Sequence, residues 1–406
     1  MSYKFVRITT YYKEYIKDFY QRYPEVHLES YSLQYQKIIK DSIESSSSFV
    51  KFFNKIGVNA NEIISNASIL QDTWKKENNI KEDISQEDLI IQQIKVYQPN
   101  VVWIDDLSLL DDKWKTKLLK EVPSIKLFVG HHCAPSNENL IEKLKLFDVL
   151  FTCTPGLKKG FAEQGINSHL LYHSFDVSVL ENIKENNSFP VADFTFTGSL
   201  YSGAGFHKKR IEYIESILSS GIKMELYSNL ESFKKIVLKK VFYNVIKITG
   251  KVGLTGIMKK IPAFRNNISY GETPISFYSK NLIKSSKPPV FGLKMYQVLY
   301  KSNICFNVHG DIAGNCAGNI RLFEATGSGA CLVTDWKENI DDLFVPGKEI
   351  ITYKSKEECI QKVKWLLENP EERLKIAKAG QKRTLENHNV EKRVAYLNQL
   401  FLEKLN

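Results

Sequence analysis

Nowhere in its 406 residues does this chain carry an apolar run approaching the roughly 20 residues of a membrane-spanning helix. Residues 1–10 hold no apolar stretch ending in a small-residue cleavage site, so a secretory leader is not expected. The six cysteines (Cys133, Cys153, Cys305, Cys316, Cys331 and Cys359) are scattered. None forms a Cys-x-x-Cys pair or stands at zinc-finger spacing from a histidine, which leaves reduced thiols of a cytoplasmic protein, and no structural metal, as the expectation. Acidic residues are scarce in one place: residues 230–290 hold only Glu231 and Glu272 against twelve lysines and arginines. That excess equals the formal charge of the whole chain, +10 from 56 basic and 46 acidic residues, so the remainder is balanced.

What is present is the composition of a globular protein, 43% hydrophobic, 12% aromatic and 25% charged, which excludes wholesale disorder. The length exceeds a single ordinary core, and two domains are expected. Residues 11–98 show apolar positions three and four apart (Ile16, Phe19, Tyr20; Ile84, Leu89, Ile90, Ile94) and read as mainly helical, with the run Ser45 to Ser48 as a helix start. From Asn100 the rhythm changes. Short apolar runs at 101–104, 126–129, 148–152 and 169–172 alternate with helical stretches, which indicates βαβ units and a parallel sheet. After a polar connection at 181–192 a second α/β series follows, with strands expected at 193–197, 223–227, 303–308 and 330–334 and a long closing helix from Glu371. The fold class expected is thus α/β, two Rossmann-like domains facing a cleft, with a helical N-terminal elaboration and a basic insertion at 229–290. The domains are drawn at 1–185, joined by the terminal helix at 392–406, and at 190–391.

The segment richest in chemistry runs from His309 to Ala330. A strand leads into a loop containing Gly310, Gly314 and Gly318, then into a helix that Asn319 would cap. Glycines admit a close backbone approach, and a helix start offers unpaired N–H groups, so the loop suits phosphate. Arg321 and Glu324 share one helix face, where a guanidinium fits a diphosphate oxygen and a carboxylate accepts from two neighbouring sugar hydroxyls. The alternative is an exposed intrahelical ion pair.

The run Asn319-Ile320-Arg321-Leu322-Phe323-Glu324-Ala325-Thr326, with Gly329, Thr334-Asp335, Pro346-Gly347-Lys348-Glu349, Tyr353 and the spaced Arg373, Gly380, Arg383 and His388, resembles the C-terminal domain of spore maturation protein-like (CgeB-like) glycosyltransferases, GT-B enzymes related to families 1 and 4. The resemblance covers about residues 290–392 well and 194–210 moderately. It implies a nucleotide-sugar donor, UDP- or GDP-linked, held by the second domain, with the acceptor on the first. Glu324 falls where related retaining enzymes place the second Glu of an E-x7-E motif, and Cys316 stands at the first position.

Supporting donor-site candidates are Gly198, Ser199 and Arg210 at the end of the second domain's first strand, a place where open α/β sheets bind ligands. Further candidates are Lys294 and Tyr296 on the helix before the glycine loop, and the loop residues Gly318, Asn319 and Ile320. Lys294 would offset leaving-diphosphate charge. For proton transfer His132 and His131 come first, Asp105 and Asp106 next, then His173, because an imidazole of ordinary pKa suits deprotonation of an acceptor hydroxyl. No Asp-x-Asp pair ends a donor-domain strand, so no catalytic metal is expected. The expected function is transfer of a sugar to a glycan, lipid-linked or protein acceptor. Lysine pairs alternate with apolar residues in the basic insertion, which suits a helix lying on an anionic membrane surface. The expected location is cytoplasmic, or peripheral on the inner face of the plasma membrane, with no nucleic-acid partner. Two competing readings are a sugar-nucleotide epimerase of the same fold and a membrane- or nucleic-acid-binding module working through the insertion.

Overall fold

The computed structural model describes residues 3–42, 45–81, 83–185, 188–202, 208–251, 261, 275–310 and 314–406. Two six-stranded, wholly parallel sheets organise them. The first contains β1 (Lys4–Thr9), β2 (Asn59–Ile64), β3 (Val101–Ile104), β4 (Leu127–His131), β5 (Val149–Thr152) and β6 (Ser168–Leu170), in the spatial order β2-β1-β3-β4-β5-β6. The second contains β7 (Ala192–Thr197), β8 (Glu225–Tyr227), β9 (Ser286–Lys287), β10 (Ser302–Asn307), β11 (Cys331–Asp335) and β12 (Ile351–Tyr353), in the order β12-β11-β10-β7-β8-β9. Strand order therefore reverses between β1 and β3 in the first sheet and between β7 and β10 in the second. The loops leaving two such strands diverge and open a crevice beyond their C-terminal ends.

Because helices cover both faces, the central strands are buried throughout and their side chains sort by parity. Val101 and Trp103 of β3 face Phe5, Phe53, Phe151 and Phe401, under the helices Ser45–Lys55 and Val390–Leu405. Val102 and Ile104 face Ile90, Ile94, Leu118 and Phe128 on the opposite side. The second sheet buries Phe194, Phe196 and Phe306 on one face and Cys305, Leu332, Phe323 and Tyr296 on the other. This is the two-domain α/β architecture expected.

The departures from expectation have local causes. β1 and β2 lie in segments that apolar spacing did not mark as strands. β2 reads Asn-Ala-Asn-Glu-Ile-Ile, and its Glu62 is fully buried because the hydroxyls of Tyr11 and Tyr35 donate to it at 3.1 and 3.2 Å. Burying a carboxylate is tolerable only with such partners. The closing helix is two helices, Pro370–Asn387 and Val390–Leu405, parted where the Asn389 side chain accepts from the Lys392 N–H and starts the second. The polar connection contains the helix Val179–Glu185, and Phe175, Val179 and Ile183 are buried among second-domain residues.

The basic segment is also less separate than an insertion. Its middle, 252–260 and 262–274, lies outside the described residues. The described part supplies Ile236, Ile275, Tyr278 and Leu282 to the second core and β9 to the edge of that sheet. The helix Phe233–Lys251 is rooted by a buried pair, Lys239 Nζ to Glu231 at 2.5 Å, and Glu231 also accepts from the Ser202 N–H at 2.8 Å. The root of the lysine-rich helix thus stands beside the loop that leaves β7.

Candidate functional site

The reversal between β7 and β10 gathers most of the donor-site candidates. Gly198 follows β7, and a side chain there would press against the Phe196 ring at 3.1 Å, so the turn is built for glycine. Arg210, buried on the helix Lys208–Ser219, donates to the Ser199 carbonyl at 3.0 Å and to the Val308 carbonyl at 3.1 Å. It therefore ties the loop after β7 to the loop after β10. Burial, then the neighbouring Arg321 charge, brings its guanidinium down to about 10. Its Nε is buried with no partner among the described residues.

Across the crevice the glycine-rich loop approaches the short helix Arg321–Gly327. Residues 311–313 lie outside the described residues, as does His207 before Arg210. Asn319 works as expected of a helix-starting residue: its side chain accepts from the Arg321 N–H at 2.9 Å and donates to Asn307 at 3.0 Å. Asn339 accepts from the Ala317 N–H and returns a bond to the Ala317 carbonyl, which fixes the loop in two directions. Arg321 Nη1 meets Glu324 Oε2 at 2.8 Å and Met295 Sδ at 3.0 Å; the Tyr296 hydroxyl donates to Glu324 Oε1 at 3.4 Å. The pair is largely buried, at 13% and 8% side-chain exposure, which rejects the reading of an exposed surface pair. Lys294 is exposed one residue before Met295, and Ile320 is half-buried at the helix start.

One group at this crevice was not singled out by local pattern. His309, at the end of β10, is buried and holds Asp335, at the end of β11, through its Nδ1 at 2.7 Å and its backbone N–H at 2.9 Å. Burial alone would raise the Asp335 carboxyl; the His309 ring and backbone outweigh it and hold the carboxyl below its usual range. The His309 Nε2 has no partner among the described residues. The signal in sequence was only a strand end beside a strand end.

The first domain meets the loop through the turn after β5. Gly318 packs so tightly there that a Cβ would lie 2.5 Å from the Cys153 carbonyl oxygen. Its neighbour Cys316 lies against Gly156, and Tyr172 accepts from Asn339 at 3.1 Å. His131 ends β4, and His132 and Cys133 open the adjoining loop after it. His131 lies between Trp103 and His173, and burial, then the His173 and Arg7 charges, push its pKa well below the ordinary histidine value. His132 sits near the Phe161 ring, is lowered by burial, and has an Nε2 with no partner among the described residues. Asp106 is otherwise engaged: Ser65 Oγ donates to it at 2.6 Å and the Ser108 N–H at 3.1 Å. Asp105 accepts from Arg7 Nε at 2.6 Å and from Trp103 Nε1 at 2.8 Å. Both carboxylates help to hold the loop after β3. The cysteines are not all scattered in space, since Cys133, Cys153 and His173 offer ligand atoms within 4.8 Å of one another.

Comparison with known proteins agrees with this fold. A family described as glycosyl transferase-like matches residues 255–399. The whole chain superposes on solved GT-B enzymes. A glycosyltransferase from Rickettsia africae aligns over 100% of this chain and 99% of its own, with a TM-score of 0.56 at 10% identity. Anabaena HepE in complex with UDP and glucose aligns over 99% and 100%, with a TM-score of 0.54 at 10% identity. A sucrose-phosphate synthase from Thermosynechococcus elongatus aligns over 98% of each chain, with a TM-score of 0.54 at 9% identity. The fold is GT-B. No curated protein sequence matches the chain significantly.

Proposed function

We propose that this protein is a glycosyltransferase that moves a sugar from a nucleoside-diphosphate donor, UDP- or GDP-linked, to a glycan, lipid-linked or protein acceptor. The observation that carries the reading is the buried Arg321–Glu324 pair at the strand-order reversal of the second sheet, in a fold whose solved relatives include a complex with UDP and glucose. Glu324 accepts the ribose hydroxyls and Arg321 turns to the diphosphate. The backbone of Gly318, Asn319 and Ile320 and the turn at Gly198 and Ser199 line the phosphates. Arg210 holds the two loops together, and Lys294 offsets the charge of the leaving diphosphate. These cations do the work that a metal performs elsewhere, so transfer proceeds without a metal at the diphosphate; strict dependence on Mg²⁺ would refute that.

His132 is the favoured base. In an inverting transfer its Nε2 takes the acceptor hydroxyl proton as the oxygen attacks the anomeric carbon and the nucleoside diphosphate departs. Its depressed pKa keeps the ring neutral and able to accept at pH 7. The motif from Asn319 to Ala330 supports a place among the spore maturation protein-like transferases of this fold.

The acceptor side is the membrane surface facing the cytoplasm. Among the described residues no helix is long and apolar enough to cross a membrane. The helix Phe233–Lys251 nevertheless turns Phe233, Val237, Leu238, Val241 and Ile248 outward among lysines. Phe233 stacks on the exposed Phe277 at 5.0 Å, with Lys240 Nζ 4.2 Å from that ring. Apolar side chains with cations between them suit an anionic bilayer.

Calorimetric titration tests the donor site. Saturable UDP or GDP binding should weaken about 10- to 100-fold in Glu324→Ala and in Arg321→Ala, as expected for lost charged hydrogen bonds. Equal affinity in wild type and both variants would refute the site. Sedimentation with vesicles containing anionic lipid tests the surface: retention at low salt should fall in Lys234→Glu/Lys240→Glu, and no retention of the wild type would remove the membrane from the proposal.

A further inference from the structure

The loops at the C-terminal ends of the first sheet converge on a group that no donor or acceptor role uses. Cys133 follows β4, Cys153 follows β5, and His173 lies in the loop after β6; their Sγ, Sγ and imidazole nitrogen all lie within 4.8 Å of one another. The Cys133 Sγ is also 3.3 Å from His131 Nε2, so a fourth ligand atom is at hand. All these cysteines are free thiols, with Cys153 buried. His173 is placed by the closing helix, since Arg393 donates to the Tyr172 carbonyl at 3.0 Å and to the His173 carbonyl at 3.5 Å.

We propose that Cys133, Cys153 and His173 bind one Zn²⁺ ion. Two thiolates and an imidazole are the ligand set of a borderline-soft, tetrahedral cation, and hard cations that demand oxygen find no carboxylate in this group. Sulfur and nitrogen atoms around a tetrahedral zinc lie about 3.5 to 4 Å apart, from bond lengths of about 2.3 and 2.0 Å, so the ligand atoms close on the ion with small side-chain rotations. Two thiolates cancel the charge of the ion, which makes the partly buried position tolerable beside the internally neutral Arg7–Asp105 pair. Each ligand comes from a different loop, and binding therefore ties together the ends of β4, β5 and β6. The Cys153 carbonyl is also the surface on which Gly318 packs, so the ion stiffens the wall against which the donor loop closes. Its role is to position that wall; it does not meet the diphosphate and stands apart from the metal-free donor reading.

The test uses the full chain and reads the metal itself, independent of any sugar transfer. Protein purified without chelator should carry one equivalent of zinc by elemental analysis. Replacement by Co²⁺ should give thiolate-to-cobalt charge-transfer absorption. Cys133→Ser and Cys153→Ser should each weaken Co²⁺ binding by more than the roughly 10- to 100-fold that loss of a supporting partner costs, whereas Cys359→Ala, in the second core, should leave it unchanged. Should a variant misfold, X-ray absorption of the wild-type zinc protein decides, with two sulfur neighbours at about 2.3 Å expected. Wild type without zinc or cobalt absorption, a zinc with only nitrogen and oxygen neighbours, or a Cys133–Cys153 disulfide in the untreated protein would overturn the proposal.

Discussion

Each sheet reverses its strand order once, and the two crevices that result are furnished with different groups. Beyond β1 and β3 the carboxylates collect the bonds, Asp105 from Arg7 and Asp106 from Ser65 and Ser108, while Arg7 Nη1 is buried without a partner among the described residues. Beyond β7 and β10 the polar groups are held in place yet incompletely paired, with Arg210 Nε and His309 Nε2 buried and without partners among the described residues. An unpaired buried donor or acceptor costs about 1–3 kcal/mol, so any polar group that reaches these two atoms stabilises the second crevice. The same topology thus gives a loop cluster centred on two carboxylates in one domain and one centred on Arg210 and Arg321 in the other. In the first domain His132, whose Nε2 has no partner among the described residues, and the cysteine cluster lie one strand along, after β4 and β5.

The contrast is easiest to break at the base. His132→Ala should lower turnover about 10²- to 10⁴-fold with little change in nucleotide affinity, and Asp106→Asn should lower it far less. Full turnover in His132→Ala, measured with a labelled donor, would return the proton-transfer role to another group.

Arg210→Leu should come next, acting on stability and nucleotide affinity together. It removes two bonds from a charged donor to the Ser199 and Val308 carbonyls, a loss of about 2–4 kcal/mol in urea denaturation. A change below about 0.5 kcal/mol would show that the two loops of the second crevice are held by other contacts.

The smallest effect is a pH slope. His388, buried between the last two helices, donates through Nε2 to the Leu343 carbonyl at 2.8 Å, and its Nδ1 faces Arg393 at 3.2 Å. Burial brings its pKa down to about 4. Above the ordinary histidine value of about 6.5 neither folded nor unfolded chain is protonated there, and the stabilisation is full. As pH falls from about 6.5 to 4 the unfolded chain gains a proton that the folded one refuses, and stability drops by up to about 1.4 kcal/mol per pH unit. Urea midpoints across that range should fall less steeply in His388→Gln than in the wild type.

Much of the fold was legible because its signals are local. Apolar runs at 101–104 and 303–308 announce buried strands, and the run from Asn319 to Ala330 announces a helix and strand after a glycine-rich loop. β2 was not legible because Asn59 and Asn61 are polar and its buried Glu62 is matched by tyrosine hydroxyls from elsewhere in the chain. The basic segment was legible as a charge anomaly, whereas the burial of Ile236 and Tyr278 and the pairing of β9 are long-range facts. His131 and His132 could be flagged together from a strand end, but only alternation of side chains across the sheet separates the ring lying against Trp103 from the one near Phe161.

The sequence by itself determined the α/β alternation, the glycine-rich loop with Arg321 and Glu324, and where the excess charge lies, because each is written in residues a few positions apart. Tertiary structure alone decided that His309 grips Asp335, that Arg210 clasps two loops, and that Cys133, Cys153 and His173 share one small volume. The physical reason is common to all three: parallel strands bring their C-terminal ends side by side, so residues a whole βα unit apart become neighbours without any spacing that a linear reading can detect.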